Sequence, residues 1–222
     1  IFIFVVFISG CEMNYEIFYK SPESIIETIE VGVNNSIIYQ FDDNLEDYFY
    51  NVYNSYKTSY NLEKYKISMK QRTVNSYMNL VKEHSNLNEL FENEAMNMFF
   101  LDRSVTENEN KIIVKLSDYN YYYEGAVDIE LGELYITLKS NYKVKTNAIS
   151  SNNLLGIYKW KITPTNSNQT LEIEFSDDIN IVAYIYNLFP WVLWLILFLV
   201  LIVLLFVIYK VIGKRLNKVN KI

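Results

Sequence analysis

The single cysteine, the single histidine and the adjacent aspartates Asp177-Asp178 are the residues of this chain whose types could do chemistry in small company. Cys11 follows Ile8-Ser9-Gly10, an aliphatic and two small residues. A thiol in that setting is one that export machinery acylates, so Cys11 is read as a lipidation site, leaving neither a free thiol nor a disulfide. His84 is the single histidine, which excludes His-based metal sites and Ser-His triads; it is expected at the surface. Asp177-Asp178 supply too few oxygens for calcium and are expected to cap the helix that follows. Gly-rich phosphate loops, cysteine clusters and a Gly-x-Ser-x-Gly turn are missing from the sequence, so no metal and no cofactor are expected and the chain is read as a non-enzyme.

The segments that would position Cys11 lie at the two ends. Residues 1–10 (IFIFVVFISG) are too short to span a bilayer and suit the apolar part of a signal peptide. Ile8-Ser9-Gly10-Cys11 resembles a bacterial lipobox, and the sequence is read as beginning inside that peptide. From Leu188 to Tyr209 there is no charged residue; at about 1.5 Å rise per residue such a helix would cover a hydrocarbon core of about 30 Å. Lys210, Lys214, Arg215, Lys218 and Lys221 follow without an acidic residue, which by the positive-inside rule places the tail in the cytoplasm. The expected organisation is a signal peptide (1–10), an extracytoplasmic domain (11–184), a single transmembrane helix (185–209) and a basic cytoplasmic tail (210–222). That is a single-pass protein of the bacterial cell membrane, with the membrane as partner at Cys11 and at Leu188–Tyr209. All 26 acidic residues fall between the ends, and an acidic domain of this kind argues against nucleic acid.

Within the domain, residues 12–20 and 25–33 alternate as strands. Ile37 to Tyr56 follows helical spacing (Ile37, Ile38, Phe41, Leu45, Tyr48, Phe49, Val52, Tyr53, Tyr56), with Ser36 as its N-cap. Residues 64–79 are ambiguous, and 85–97 read as a short helix. Residues 98–105 and 111–117 read as a hairpin, 133–146 as a strand run, and 155–162 with 169–175 as a final hairpin. Asp118 and the aromatic run through Tyr123 form a loop. The expected fold class is α+β: a mainly antiparallel sheet packed by one long and one short helix, plus the C-terminal transmembrane helix. The largest apolar faces belong to Phe49 on the long helix and to Leu134, Ile136, Tyr158 and Trp160 on late strands. These five are the possible ligand contacts, with closure of a plain core as the alternative.

Ser9-Gly10-Cys11 runs directly into a strand (Glu12-Met13-Asn14-Tyr15), an amphipathic helix follows, and Val144-Lys145-Thr146-Asn147-Ala148 precedes Tyr158-Lys159-Trp160-Lys161-Ile162 by about a dozen residues. In this order of parts the chain resembles the LppM-type lipoproteins, an actinobacterial and firmicute envelope family. In that family the Asn-Ala turn and the Trp strand form a C-terminal hairpin; the glycine usual before Asn-Ala is replaced here by Ser140-Asn141-Tyr142. The resemblance covers the first 25 and last 80 residues and implies an exported, doubly anchored α+β domain, with no catalytic residue carried over. Two functions follow as expectations: binding of an amphiphilic ligand or membrane partner beside the outer leaflet, or a structural subunit of an envelope protein complex.

Overall fold

Alternation of apolar and polar residues builds β1 (Cys11–Ser21) and β2 (Ser24–Asn34), joined by a tight turn. They pair antiparallel, with Tyr15 opposite Ile29 and Tyr19 opposite Ile25. The computed structural model describes residues 11–41, 44–108, 111–119, 134–163 and 169–219. On the far side of β2 lie β4 (Asn75–His84) and then β3 (Lys66–Gln71), which resolve the ambiguous stretch 64–79 as a short 3-10 turn, Leu62–Lys64, feeding an antiparallel pair. On the other side, β7 (Leu134–Ser140) lies parallel to β1 and is followed by β10 (Ile157–Ile162) and the short β9 (Ser150–Asn152). The seven-stranded order is β3-β4-β2-β1-β7-β10-β9. A second sheet has the order β5 (Phe100–Asn108), β6 (Lys111–Tyr119), β11 (Leu171–Ile179) and β8 (Tyr142–Thr146).

Registers put one residue parity of every central strand on the same side. Tyr15, Ile17, Ile29, Val31, Leu80, Ile136, Leu138, Tyr158 and Trp160 share the inner face of the large sheet and are all buried. Leu171, Ile173 and Phe175 of β11 face them from the small sheet, and the Phe175 ring meets that of Tyr19 at 4.5 Å. Two β layers therefore share one core, with short helices closing its open end.

The expected fold class is corrected on this point: the protein is mostly β, with two sheets and short helices. The long helix expected over Ile37–Tyr56 is two elements, α1 (Asn35–Phe41) and α2 (Leu45–Tyr56). Asn34, rather than Ser36, accepts the Ser36 amide at the start of α1. Asn44 caps α2 by accepting from the Glu46 amide, since an Asx side chain competes for backbone donors and starts a new helix. The hairpin of 98–105 with 111–117 is present, as β5 paired to β6. The final hairpin is not: β10 belongs to the large sheet and β11 to the small one. Likewise 133–146 is two strands in different sheets, broken at Asn141. The aromatic run beyond Tyr119 lies outside the described residues, as do residues 1–10.

The C-terminal expectation is corrected as well. Among the described residues no helix is long and apolar enough to cross a membrane, so the transmembrane helix and the single-pass topology built on it are not found. Leu188 does not begin a span but closes α4 (Ile181–Leu188). Phe189 leaves helical geometry at φ −141°, ψ 79°, and Pro190 opens a separate helix, α5 (Pro190–Val219). A proline tolerates a first helical turn but not the interior, so the apolar run is divided there. Beyond Tyr209, α5 continues through Lys210, Lys214, Arg215 and Lys218. Asp177-Asp178 do not cap α4: both lie in β11, Asp178 pairs with Lys143 at 2.9 Å, and the cap is Asn180, whose side chain accepts from the Ala183 amide.

Candidate functional site

Glu27 is the residue that departs from the pattern of its strand. The other inward positions of β2 are Ile25, Ile29, Val31 and Val33, whereas Glu27 sits among them with 0 % exposure. An unpaired carboxylate there would cost several kcal/mol of lost hydration, so the fold must bring donors to it. Each neighbouring element supplies one. From β1, the Tyr15 hydroxyl donates to Oε1 at 2.9 Å. From the end of β4, His84 Nε2 meets Oε2 at 2.8 Å. Tyr65, just ahead of β3, donates its hydroxyl to the same oxygen. Asn93 donates Nδ2 to Oε2 at 3.0 Å and also to the Tyr65 hydroxyl.

Local chemistry explains how Asn93 arrives. Asn86 caps α3 (Leu87–Phe91) by accepting from the Glu89 amide at 2.8 Å, while the Glu89 carboxylate reaches back to the Ser85 amide at 2.8 Å and hydroxyl at 2.7 Å. The helix is only long enough to turn Leu87, Leu90 and Phe91 into the core, and the chain then re-enters a 3-10 turn, Glu94–Met98. Asn93 sits between the two, with its carbonyl accepting from Arg103 at 3.2 Å. Met96 places its sulfur against the Tyr15 hydroxyl. Segment 85–98 is thus fastened to the large sheet through one buried carboxylate.

Burial, reinforced by the neighbouring Glu27 charge, pushes the Tyr15 and Tyr65 phenols well above their ordinary range. Both therefore stay protonated and act as donors to the carboxylate. Four side chains thus converge on a carboxylate that has no exposed surface. Its work is to hold. Among the described residues no group of three or more His, Cys, Asp or Glu side chains could hold a metal ion.

His84 is the sharpest departure from its expectation. It is 1 % exposed rather than at the surface. The sequence does carry a signal for this: Glu27 breaks the inward parity of an otherwise apolar strand, and His84 ends the inward parity Met78, Leu80 of β4. A charged residue on a core parity demands a partner, and the single imidazole of the chain is an obvious one.

The expected ligand contacts all lie in the core. Trp160 pairs with Ile136 and Tyr158 with Leu138 across β10 and β7, while Leu134 faces Ile162. Phe49 enters the same core from α2 with no exposed surface. The structure places all five in one apolar cluster. Trp160 and Asn147, which carried the family resemblance, are bonded: the indole Nε1 donates to Asn147 Oδ1 at 3.2 Å. The same oxygen accepts the Glu172 amide at 3.1 Å, and Asn147 Nδ2 donates to the Thr170 carbonyl at 2.7 Å. One side chain thereby stitches the small sheet to the large one, where a simple hairpin was expected. Cys11 opens β1, its backbone opposite Val33.

A second joint sits at the other end of β1. The Asn141 amide donates to the Tyr19 carbonyl and its Nδ2 to the Lys20 carbonyl, both at 3.1 Å. Its carbonyl accepts the Asn180 amide at 2.9 Å, and its Oδ1 accepts Asn187 Nδ2 at 3.0 Å. The residue standing near the usual glycine of the resembled family is thus the pin of α4. The glycine this joint needs is Gly156, at φ +63°, where a Cβ would lie 2.1 Å from the Ser140 carbonyl oxygen.

No family model matches the chain, and no curated protein matches it either. Among solved structures it is similar to the NMR structure of the folded domain of the Mycobacterium tuberculosis LppM protein. That likeness has a TM-score of 0.47 and 14 % sequence identity, over 75 % of this chain and 89 % of that one. The resemblance read from the sequence thus meets one distant structural neighbour and no family match.

Proposed function

We propose that this chain is a non-enzymatic interaction subunit, attached to lipid at Cys11 and joined to a partner protein through α5. The observation that carries this reading is the uncovered apolar surface of that helix. Trp191 is 62 % exposed, Trp194 73 % and Tyr209 77 %, and the apolar side chains of residues 195–206 and Ile208 are exposed with them. Contiguous apolar surface on this scale marks an interaction site rather than a finished exterior. The five side chains expected to contact a ligand are instead consumed in the core, which favours assembly over ligand capture. Because the apolar residues run around the helix instead of along one stripe, one flat partner face would not cover them. The occupant that fits is a set of apolar helices from a partner protein, packed around α5.

The test is photo-crosslinking of the full-length protein in its host, with the photoreactive residue placed in turn at Trp194, Leu197, Phe198 and Leu201. The expected result is one partner polypeptide, cross-linked from all four positions at apolar helical segments, and lost from the complex on Leu197→Lys. Cross-links to lipid acyl chains alone would overturn the assembly reading.

A further inference from the structure

The Glu27 cluster contains one polar atom that its neighbours leave unserved. His84 Nε2 faces Glu27 at 2.8 Å, whereas the buried Nδ1 has no hydrogen-bond partner. The group nearest to it among the ion pairs is another carboxylate, Glu89, with Oε1 at 3.8 Å. A buried imidazole between two carboxylates presents an N–H to each only when it carries both ring protons. With one proton, which Nε2 must keep to donate to Glu27, the bare Nδ1 lone pair is turned toward the Glu89 charge.

We infer that His84 is a proton-operated latch, which holds segment 85–98 against the large sheet when doubly protonated and loosens it when Nδ1 is bare. The two carboxylates it bridges belong to different elements: Glu27 lies in β2 and Glu89 in α3, the helix to be held. The other groups around the ring do not replace it. Tyr15 from β1 and Tyr65 from ahead of β3 are neutral donors to Glu27, and Asn93 is an amide. Lys82 of β4 stands over the Tyr65 ring at 5.7 Å, and Arg103 of β5 is engaged with the Asn93 carbonyl and the Asn97 side chain. Met96 is uncharged. Among these groups the imidazole is the one whose protonation adds both a charge and a second N–H facing a carboxylate. The sign follows: acid closes the latch, and raising the pH opens it.

The opening exposes a specific stretch. Leu87, Leu90, Phe91, Ala95 and Met96 are buried by segment 85–98, so release uncovers apolar surface over the inner face of β2 and β4 while the ladders of the sheet stay intact.

Hydrogen exchange, expressed as protection factors on the full chain between about pH 5 and 8, tests this. In the wild type, protection of residues 85–98 should fall several-fold as pH rises, while that of residues 13–19 and 25–33 stays level. His84→Gln should remove the pH dependence. If that variant does not fold, Glu89→Gln serves, because Glu89 is 44 % exposed at its side chain and outside the core; it should weaken the pH dependence while leaving the fold. A pH dependence of equal size in wild type and variant, or a wild-type segment whose protection does not change with pH, would overturn the latch.

Discussion

Two regions of this core use buried polar groups for opposite ends. At the β2–β4 side, a single carboxylate, Glu27, gathers four segments around itself, with donors from β1, from ahead of β3, from β4 and from the loop after α3. At the β7–β8 side, the neutral amides of Asn141 and Asn147 join the two sheets and pin α4, and each of their five side-chain contacts is a neutral hydrogen bond. A charge concentrates its effect because removing it strands several donors at once. Amides distribute theirs, since each lost bond costs about 1–3 kcal/mol when its partner stays buried. Only the first arrangement is built from ionisable side chains.

The comparison is broken most severely by Glu27→Ala. With His84, Tyr15, Tyr65 and Asn93 left facing a void, unfolding free energy should drop by about 3–5 kcal/mol, measured by chemical denaturation. Should the loss be under about 1 kcal/mol, the cluster would not be the fastening described. Next in size is Gly156→Ala, at about 2–3 kcal/mol, because the new Cβ meets a carbonyl oxygen at a backbone angle that L-residues rarely adopt. Thermal melting checks it, and Gly156→Asn, which tolerates positive φ better, should not rescue it if the carbonyl clash dominates.

Asn147→Ala should cost about 1–3 kcal/mol and should do so equally at pH 5 and pH 8, since no titrating group touches the amide. A pH-dependent loss would erase the distinction between the two regions. The smallest effect concerns Glu89. The Ser85 amide first, and then its hydroxyl, hold the Glu89 carboxyl below its ordinary value. A depressed carboxyl contributes stability that is present above about 4.5 and fades as pH falls below it. Because the side chain is partly in water, Glu89→Gln should shift acid stability by only a few tenths of a kcal/mol, read as a small change in the acid midpoint.

Much of this layout was open to reading from the residues. The strict alternation of Glu12–Lys20 and Ile25–Val33 gave β1 and β2, and the polar gap after Val105 gave the β5–β6 hairpin. What stayed hidden is what local pattern does not encode. Nothing in Leu155–Ile162 and Gln169–Phe175 tells that neighbouring strands enter different sheets, a choice made by the Asn147 bonds and the sheet-on-sheet packing. The helical spacing from Ile37 to Tyr56 is real, but it does not reveal the extended residue Asn44, whose side chain starts a second helix. Hydropathy alone joined Leu188 to Tyr209, although the bend at Phe189 and the proline after it divide that run. His84 was placed outside because a lone histidine says little until the parity of Glu27 is noticed.

The direction of β1 has a mechanical consequence. Cys11 stands at its first residue, and the Asn141 pin of α4 grips its other end at Tyr19 and Lys20. At about 3.3 Å per residue, the eight steps from Cys11 to Tyr19 keep the two attachment points about 26 Å apart. Cys11 and the joint that pins α4 are therefore separated by the height of the sheet. β1 is also an interior strand, laddered to β2 on one side and to β7 on the other. A pull between Cys11 and the Asn141 joint would run along that strand, so both ladders would be sheared together.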